Sequence, residues 1–243
     1  MNDALLSQVA WIGDKYVNGP VRGIVLEFPG LGGMGMKGEG PDARELEWGQ
    51  AGALVVVPFQ DPWGWMNPQT VAFTDELVAA LFARFALAPV TPVIATGGSM
   101  GGHGALIYTL LASRPVAACA ANCPVGDLPF HYGERPDLPR TMHHAFGSYG
   151  DISAALVAHS PWHQAARMPD VPYLIIHGDE DRAVGKAEHS DKLVAAMRAQ
   201  GRNVEYVEAA GMAHCGPFDW ALHRRWTDFV LEQLYPVSSE DTE

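Results

Sequence analysis

The sequence has little cysteine, little positive charge and no long apolar run, and each shortage excludes a class of protein. Its 243 residues contain 3 cysteines, too few and too irregularly spaced for a disulfide framework, and the odd number leaves at least one thiol free. Lysine and arginine number 16 against 28 acidic residues, which argues against nucleic acid and anionic membranes as partners. No stretch reaches the roughly 18 to 20 apolar residues of a membrane span.

Signals for export and for nucleotide binding are also missing. The N-terminus, Met1 to Leu6, has no basic segment followed by a long apolar core, so a secretory leader is not predicted and a cytoplasmic location is expected. The glycine-rich loop at 29–33 lacks the lysine and Ser/Thr of a Walker-type loop. A Gly-x-Gly-x-x-Gly pattern with an acidic residue on the next strand is absent too. We therefore expect no cofactor.

What the chain does contain is a regular alternation of apolar, β-branched runs with segments of helical periodicity. Strands are predicted at Val21–Phe28, Ala53–Val57, Val93–Thr96, Val116–Ala121, Tyr173–His177 and Val204–Val207. Helices are predicted at about Pro41–Gln50, Thr70–Leu87, Gly101–Ser113, Lys186–Gln200 and Pro217–Leu234. This alternation predicts an α/β fold, with a mostly parallel, doubly wound sheet and helices on both faces. Right-handed crossovers then gather every strand-to-helix loop at the carboxyl edge.

One segment, about 127–170, interrupts this alternation and is rich in proline and histidine. Its length predicts a cap-like insertion over the carboxyl edge, partly helical around Asp151–Ala158, within the single domain expected for all 243 residues. No metal site is expected there: His159 and His163 are one helical turn apart, but a proline lies between them and no carboxylate is suitably spaced. The last residues, Ser238–Glu243, are predicted to form a solvated acidic tail.

The most informative stretch runs from Val93 to Gly104 and reads Val-Ile-Ala-Thr-Gly-Gly-Ser-Met-Gly-Gly-His-Gly. An apolar strand leads into Gly-x-Ser-x-Gly, and a predicted helix begins directly after it. A sharp strand-to-helix turn exposes a serine hydroxyl, and the glycines avoid collisions where strand and helix approach closely. We therefore predict that Ser99 is a nucleophile.

Such a serine needs a histidine base that a buried carboxylate orients, and the expected chain order is serine, acid, histidine. His214 follows the last predicted strand and is predicted to be the base. The acid is predicted at Asp181, in the loop after the preceding strand. Asp179 is the next candidate and Asp127 a remote third, since unused aspartates commonly cap turns or helices. Cys215 is a conceivable alternative nucleophile, but adjacent residues seldom face each other usefully.

The oxyanion of a tetrahedral intermediate needs two backbone N–H groups about 3 Å away, each worth roughly 3 kcal/mol of barrier. One is predicted at Met100, the residue after the nucleophile. The other is expected in the loop after the first predicted strand, at Leu31, with Gly32 as the alternative. Cys119 and Cys123 are interpreted as buried residues at a strand end.

Taken together, these residues resemble the α/β-hydrolase superfamily over nearly the whole chain. Gly97–Ala105 is similar to the nucleophile elbow of esterase-D-like carboxylesterases, which usually carry histidine where Gly98 stands. The C-terminal third resembles the catalytic domain of the prolyl oligopeptidase family and of dienelactone hydrolases. The resembling pieces are Ser160-Pro161, Pro172–Val184 and Gly211–His214. The resemblance implies an α/β-hydrolase fold, and its His-Gly-x-x-Asp-x-x-Val pattern places the acid at Asp181.

The expected activity is hydrolysis of neutral carboxylic esters with short or medium acyl chains, aryl esters included, through an acyl-enzyme. Trp63, Trp65 and Met66, in the loop after the second predicted strand, are expected to wall an acyl or aromatic pocket; the alternative is that they pack under the cap. The chain shows no cluster of arginine or lysine at the predicted crevice, which argues against a polyanionic substrate.

Two other functions stay open at this point. Prolyl oligopeptidases carry a long β-propeller before this domain, whereas only about 20 residues precede Val21, and a small esterase is therefore favoured over a peptidase or amidase with the same triad. A catalytically silent hydrolase scaffold that binds a ligand or protein is the third possibility. Whether the chain forms a homodimer is left open.

Overall fold

The computed structural model describes residues 3–33, 35, 37 and 40–235. Within these residues the strands are β1 (Ala10–Ile12), β2 (Gly23–Phe28), β3 (Ala53–Pro58), β4 (Val93–Gly98), β5 (Ala118–Asn122), β6 (Tyr173–Gly178) and β7 (Val204–Ala209). The α-helices are α1 (Asp3–Val9), α2 (Ala43–Gln50), α3 (Pro68–Arg84), α4 (Met100–Leu111), α5 (Leu128–Glu134), α6 (Leu138–Phe146), α7 (Ile152–Ala158), α8 (Lys192–Ala199) and α9 (Trp220–Leu234). The predicted acidic tail at Ser238–Glu243 lies outside the described residues, as do Met1 and Asn2.

The described strands form one seven-stranded sheet in the order β1-β3-β2-β4-β5-β6-β7. Neighbours from β2 to β7 pair in parallel, and β1 pairs antiparallel with β3. The predicted α/β fold with a mostly parallel sheet is thus confirmed. The edge strand β1 is not predicted from the sequence, because three residues are too few to show a periodic pattern.

The register of the sheet brings the carboxyl ends of its central strands level. Phe28 ends β2 and pairs with Gly97, and Asn122 ends β5 and pairs with Gly98. The turn that follows β4 therefore lies between two other strand ends. In an open parallel sheet this carboxyl edge is where ligands bind.

Helices cover both faces of the sheet, because successive side chains of each strand point to opposite faces and are apolar on both. In β2, Ile24 and Leu26 belong to the core that includes α3, α4 and α8, whereas Val25 belongs to the opposite core with α2 and α9. Burial on both faces is the reason that these strands read as nearly continuous apolar runs. In the described part of the chain, no helix combines the length and the apolar character that crossing a membrane requires.

The chain between β5 and β6 forms α5, α6 and α7, which pack over the carboxyl edge. Their buried side chains share a third apolar cluster with Trp65 and Val184. The indole N–H of Trp65 donates to Thr141 Oγ1 at 2.9 Å, and the side-chain amide of Asn67 donates to the carbonyl oxygen of Ala145, also at 2.9 Å. These two hydrogen bonds hold α6 against the loop after β3.

Candidate active site

Ser99 lies at the sharp turn between β4 and α4. Its φ is 58° and its ψ is −125°, a left-handed conformation that costs free energy in a residue with a side chain. The backbone N–H of Ser99 donates to the carbonyl oxygen of Asn122 at 2.9 Å, which ties the turn to the end of β5. Backbone strain of this kind is expected where a turn presents a nucleophile.

Two glycines permit this turn because the strand and the helix nearly touch. A Cβ atom on Gly101 would lie 2.0 Å from the carbonyl oxygen of Phe28, and one on Gly97 would lie 2.5 Å from backbone atoms of Gly101. These neighbours are backbone atoms, which cannot rotate away. The predicted reason for the glycines in the motif therefore holds in the structure.

Gly101→Ala is expected to lower the free energy of unfolding by about 2 to 4 kcal/mol. This loss corresponds to a fall in Tm of roughly 5 to 15 °C, measured by differential scanning calorimetry. Gly104→Ala is the matched control in the same helix, because the nearest atom to its added Cβ is the terminal methyl of Met66 at 3.1 Å, which can move. Equal Tm values for the two variants would contradict the close approach at Gly101.

The structure brings the three predicted triad residues together. His214 Nε2 lies 2.9 Å from Ser99 Oγ, and His214 Nδ1 lies 2.7 Å from Asp181 Oδ2. The other carboxylate oxygen, Asp181 Oδ1, accepts the backbone N–H groups of Ala183 and Val184, each at 2.9 Å. The carboxylate is thus fixed on one side by its own loop and presents the other oxygen to the imidazole.

A second histidine, His177 at the end of β6, also contacts this carboxylate. Its Nε2 lies 2.9 Å from the carbonyl oxygen of Val184 and 3.3 Å from Asp181 Oδ2. A carbonyl oxygen only accepts, so Nε2 carries a proton and Nδ1 accepts from Ser190 Oγ at 2.6 Å. Burial raises the pKa of Asp181, but hydrogen bonds from His177 and His214 outweigh burial and hold that pKa far below its usual range. Asp181 is therefore ionised at neutral pH.

The two alternative acids lie elsewhere. Asp179 Oδ1 accepts the backbone N–H of Gly211 at 2.6 Å, which links the loops after β6 and β7. Asp127 caps α5 and accepts the N–H of Phe130 at 3.0 Å. Neither carboxylate contacts His214, so the geometry favours Asp181 among the three.

The two predicted oxyanion donors are Leu31, in the loop after β2, and Met100, the residue after Ser99. Neither Leu31 N–H nor Met100 N–H has a hydrogen-bond partner among the residues that the structure describes. The alternative donor, Gly32, is engaged, because its N–H donates to the carbonyl oxygen of Pro62 at 3.0 Å. Met100 is also the first residue of α4, where the helix dipole favours negative charge. The geometry therefore favours Leu31 over Gly32.

A cavity of about 860 Å³ opens onto Ser99 and His214. Its apolar lining includes Phe28, Leu31, Val57, Trp65 and Val184. Of the three predicted pocket residues, only Trp65 lines this cavity.

Trp63 and Met66 lie away from the cavity, in contrast to the sequence expectation. The ring of Trp63 stacks under the Arg140 guanidinium at 4.7 Å and meets the His144 ring edge-on at 5.6 Å, so it packs against α6. Met66 is buried in the core beside Gly104 of α4. Trp63 thus matches the alternative of packing under the cap, whereas Met66 packs in the main core of the sheet.

The cavity wall also carries charged and titratable residues that the sequence analysis did not single out: Glu27, Lys37, His131 and Arg135. Glu27 interrupts the apolar strand β2. Burial, and then a hydrogen bond with Glu45, raise its pKa to about 7, although Arg44 and Lys37 oppose this rise. A single charge in an otherwise apolar strand is the signal that points to Glu27, whereas His131 and Arg135 lie in the insertion and have no comparable signal.

One histidine–carboxylate group near the cavity is satisfied without a metal. His131 Nδ1 and His189 Nε2 both contact Glu134 Oε2, the latter at 2.9 Å. His189 Nδ1 accepts the backbone N–H groups of Gly126 and Asp127, each at 3.2 Å, so its Nε2 holds the proton. Ligation through Nε2 would break this arrangement, and the group is a hydrogen-bond network.

Residues 63–236, more than half of the chain, match the prolyl oligopeptidase family. The chain belongs to the prolyl oligopeptidase family. This family is part of the α/β-hydrolase superfamily, and the matched range contains Ser99, Asp181 and His214. No curated protein sequence matches the chain significantly.

Solved structures of peptidases and esterases share the fold. An acylaminoacyl peptidase of Pyrococcus horikoshii superimposes with a TM-score of 0.74 at 14% identity, over 95% of this chain and 40% of that one. A puromycin-hydrolyzing peptidase of Mycobacterium tuberculosis gives 0.71 at 17% identity, over 90% and 34%. A truncated form of a carbohydrate esterase from gut microbiota gives 0.69 at 17% identity, over 93% and 96%. The chain thus spans 34% to 40% of the two peptidases, and identities this low show the fold alone.

Proposed function

We propose that the protein hydrolyses carboxylic esters, with Ser99 as nucleophile, His214 as general base and Asp181 as the group that orients the base. The observation that carries this proposal is the continuous hydrogen-bonded chain from Ser99 Oγ through both nitrogens of His214 to Asp181, at the floor of a cavity. Asp181 accepts from Nδ1, so Nε2 is left with its lone pair toward the serine hydroxyl. The resting geometry is ready for proton transfer.

In the proposed acylation step, His214 Nε2 takes the proton of Ser99 Oγ as the oxygen attacks the ester carbonyl carbon. The negative charge that develops on the carbonyl oxygen is stabilised by the N–H groups of Leu31 and Met100. His214 then gives the proton to the departing alkoxide, which leaves as the alcohol. A water molecule, deprotonated by the same imidazole, hydrolyses the acyl-enzyme and restores Ser99.

The cavity supports a small neutral substrate. Its volume of about 860 Å³ lies in the range of small-molecule sites, roughly 300 to 1,000 Å³. Leu31, Trp65 and Val184 offer an apolar surface for an acyl chain or aryl group. Each cation in the wall has an acidic partner: the ammonium of Lys37 contacts Glu45, and the guanidinium of Arg135 lies 2.8 Å from Asp137 Oδ2. No uncompensated positive patch therefore calls for a polyanion.

A peptidase is the second candidate, favoured by the family match and by the peptidase structures that share the fold. The same triad can cleave an amide if His214 protonates the leaving nitrogen. Arg135 in the cavity wall offers donors for a peptide carbonyl group.

Matched substrates distinguish these candidates: p-nitrophenyl butyrate, and the p-nitrophenyl ester and the p-nitroanilide of one acetylated amino acid. We expect kcat/KM for the butyrate to exceed that for the anilide by at least about a hundredfold, on the order of 3 kcal/mol in barrier. Anilide turnover within about tenfold of the matched ester, with no turnover of the butyrate, would favour the peptidase. A fluorophosphonate probe that fails to label the purified protein would favour a silent binding scaffold instead.

On the acid side of its pH profile, kcat/KM is expected to fall with a midpoint above the ordinary pKa of histidine. The hydrogen bond to Asp181 raises the pKa of His214, although burial opposes this effect. The base must be neutral to accept the proton of Ser99, so kcat/KM falls as pH drops through this raised pKa. The midpoint of the limb, measured from kcat/KM against pH, is expected above 6.5. A midpoint below that value would contradict the proposed coupling.

A further inference from the structure

Two cysteines that the proposed mechanism does not use lie beside His214. Cys123 is buried directly after β5, and Cys215 follows His214 and lines the cavity. Both are free thiols, and their sulfur atoms lie within 4.8 Å of each other and of an imidazole nitrogen of His214. The backbone N–H of Cys215 donates to Cys123 Sγ at 3.5 Å. Two thiols and an imidazole thus converge on one point of the site.

Local backbone geometry holds the two thiols in this position. Cys123 and Cys215 have φ angles of 44° and 47°, in the left-handed region that residues with side chains rarely adopt. A Cβ atom on Gly98 would lie only 3.2 Å from Cys215 Sγ, so the absence of a side chain at this position leaves space for that sulfur. Strained conformations at both cysteines persist only where the surroundings enforce them, and such positions concentrate at functional sites.

The residue before Cys123 carries an unsatisfied polar atom. The side-chain oxygen of Asn122, the residue before Cys123, is buried and has no hydrogen-bond partner among the described residues. Cys215 Sγ lies 3.8 Å from the carbonyl oxygen of the same asparagine. A buried acceptor without a donor is rare and requires an explanation.

We propose that Cys123, Cys215 and His214 form a binding site for a soft divalent cation of the zinc and cadmium class, and that the bound ion blocks catalysis. Thiolate and imidazole are the ligands that such ions prefer. With Zn–S near 2.3 Å and Zn–N near 2.0 Å, ligand atoms of a tetrahedral site lie about 3.5 to 4 Å apart, so rotations of the cysteine side chains suffice. The cavity offers an entry path and a fourth position for water.

Binding exchanges protons for the cation and requires no redox step. The two thiols lose their protons as two metal–sulfur bonds form, and the imidazole contributes a lone pair. Whichever nitrogen of His214 binds, one of its hydrogen bonds to Ser99 and Asp181 is lost. The imidazole then no longer acts as the base.

A competing set, Cys123 with His177 and Asp181, is less suitable. These ligand atoms also lie within 4.8 Å of one another. All three residues are buried and none of them lines the cavity, whereas His214 and Cys215 do. His177 Nε2 also donates to the carbonyl oxygen of Val184 at 2.9 Å. Its Nε2 carries a proton, so ligation there would leave that carbonyl oxygen without its donor.

The direct test is cadmium titration of the metal-free protein, with all thiols first counted as reduced. The wild type and Cys119→Ser, the matched control for a buried thiol of β5, are expected to bind one cadmium ion with a thiolate-to-cadmium charge-transfer band in the ultraviolet. Cys123→Ser and Cys215→Ser are expected to bind at least about tenfold more weakly and to show a reduced band. An unchanged band in either variant, or no band in the wild type, would overturn the proposal.

Two further variants keep the test decisive. Gly98→Ala retains all three ligands but crowds Cys215 Sγ, so it is expected to weaken cadmium binding even if a serine variant fails to fold. Ser99→Ala lacks the proposed nucleophile and is expected to bind cadmium like the wild type, so the result does not depend on hydrolysis. Wild-type affinity in Gly98→Ala would count against the proposed geometry.

Inhibition is tested separately on ester hydrolysis. Zinc is expected to inhibit the wild type reversibly, with activity restored by a chelator. Each variant is compared with its own zinc-free rate, and the inhibition constant is expected to rise at least about tenfold in Cys123→Ser and Cys215→Ser but not in Cys119→Ser. Equal sensitivity of all three variants would place the inhibitory ion elsewhere and overturn the second half of the proposal.

Discussion

Ser99→Ala is expected to lower kcat for ester hydrolysis by about a millionfold and to abolish labelling by a fluorophosphonate. The reason is that the nucleophile is lost while the oxyanion donors and the cavity stay in place. His214→Ala is expected to cost nearly as much, because the hydroxyl then has no base. The double variant should be no slower than the worse single variant by more than about tenfold, since the triad acts as a unit.

The control for these variants is Ser153→Ala, an exposed serine of α7 that is expected to keep full activity and labelling. Initial rates and probe labelling are measured on the same preparations, with circular dichroism to verify folding. Fully multiplicative losses in the double variant would contradict the hydrogen-bonded triad. Labelling that survives in Ser99→Ala would place the nucleophile elsewhere.

Asp181→Asn is expected to lower kcat by about ten thousandfold. The Oδ1 position accepts the N–H groups of Ala183 and Val184, so the asparagine must place its carbonyl oxygen there and turn its NH₂ group toward His214. An NH₂ group donates, which forces the lone pair of the imidazole onto Nδ1 and its proton onto Nε2. Nε2 then cannot accept the proton of Ser99.

Asp179→Asn provides a matched control two positions away in the same loop. Its oxygen accepts the N–H of Gly211, a role that an asparagine oxygen can retain, so kcat is expected to stay within about threefold of the wild type. Steady-state rates and thermal unfolding are measured for both variants. A comparable loss of kcat in the two would indicate that the loop, rather than the carboxylate of Asp181, matters.

The parts of the site that were predictable from sequence are those that local rules determine. Gly97 and Gly101 mark the turn around Ser99 because the close approach of strand and helix tolerates no Cβ there. One carboxylate oxygen of Asp181 accepts the backbone N–H groups two and three residues later in the chain. This local pattern leaves its other oxygen free to meet His214. Chain order and the parallel sheet then place these groups at one edge.

The parts that were not predictable depend on loop conformation and long-range contacts. Trp65 and Met66 both have positive φ angles, 46° and 47°, so the directions of successive side chains could not be read from their spacing. In the insertion, α5 and α6 extend the predicted helical content beyond Asp151–Ala158. They are 7 and 9 residues long, too short for clear periodicity, although an aspartate followed two positions later by proline precedes each.

The thiol pair illustrates the same limit. Cys123 and Cys215 are 92 positions apart, and only the adjacency of two strand-end loops brings them together. Spacing rules for metal ligands apply to residues close in sequence, so they do not predict this pair. The sequence shows that position 98 has no side chain, but it does not show that Cys215 Sγ fills the space beside it.

The three triad side chains follow three different strands, and this separation affects how activity responds to heat. Ser99, Asp181 and His214 follow β4, β6 and β7, and the first two strands are separated by β5. Loosening of any one of these strand ends moves a group by more than a proton-transfer distance while most of the core stays packed. Turnover is therefore expected to be lost at a lower temperature than the one at which tryptophan fluorescence reports unfolding of the core. Catalytic activity would then report the order of the strand ends at the carboxyl edge of the sheet.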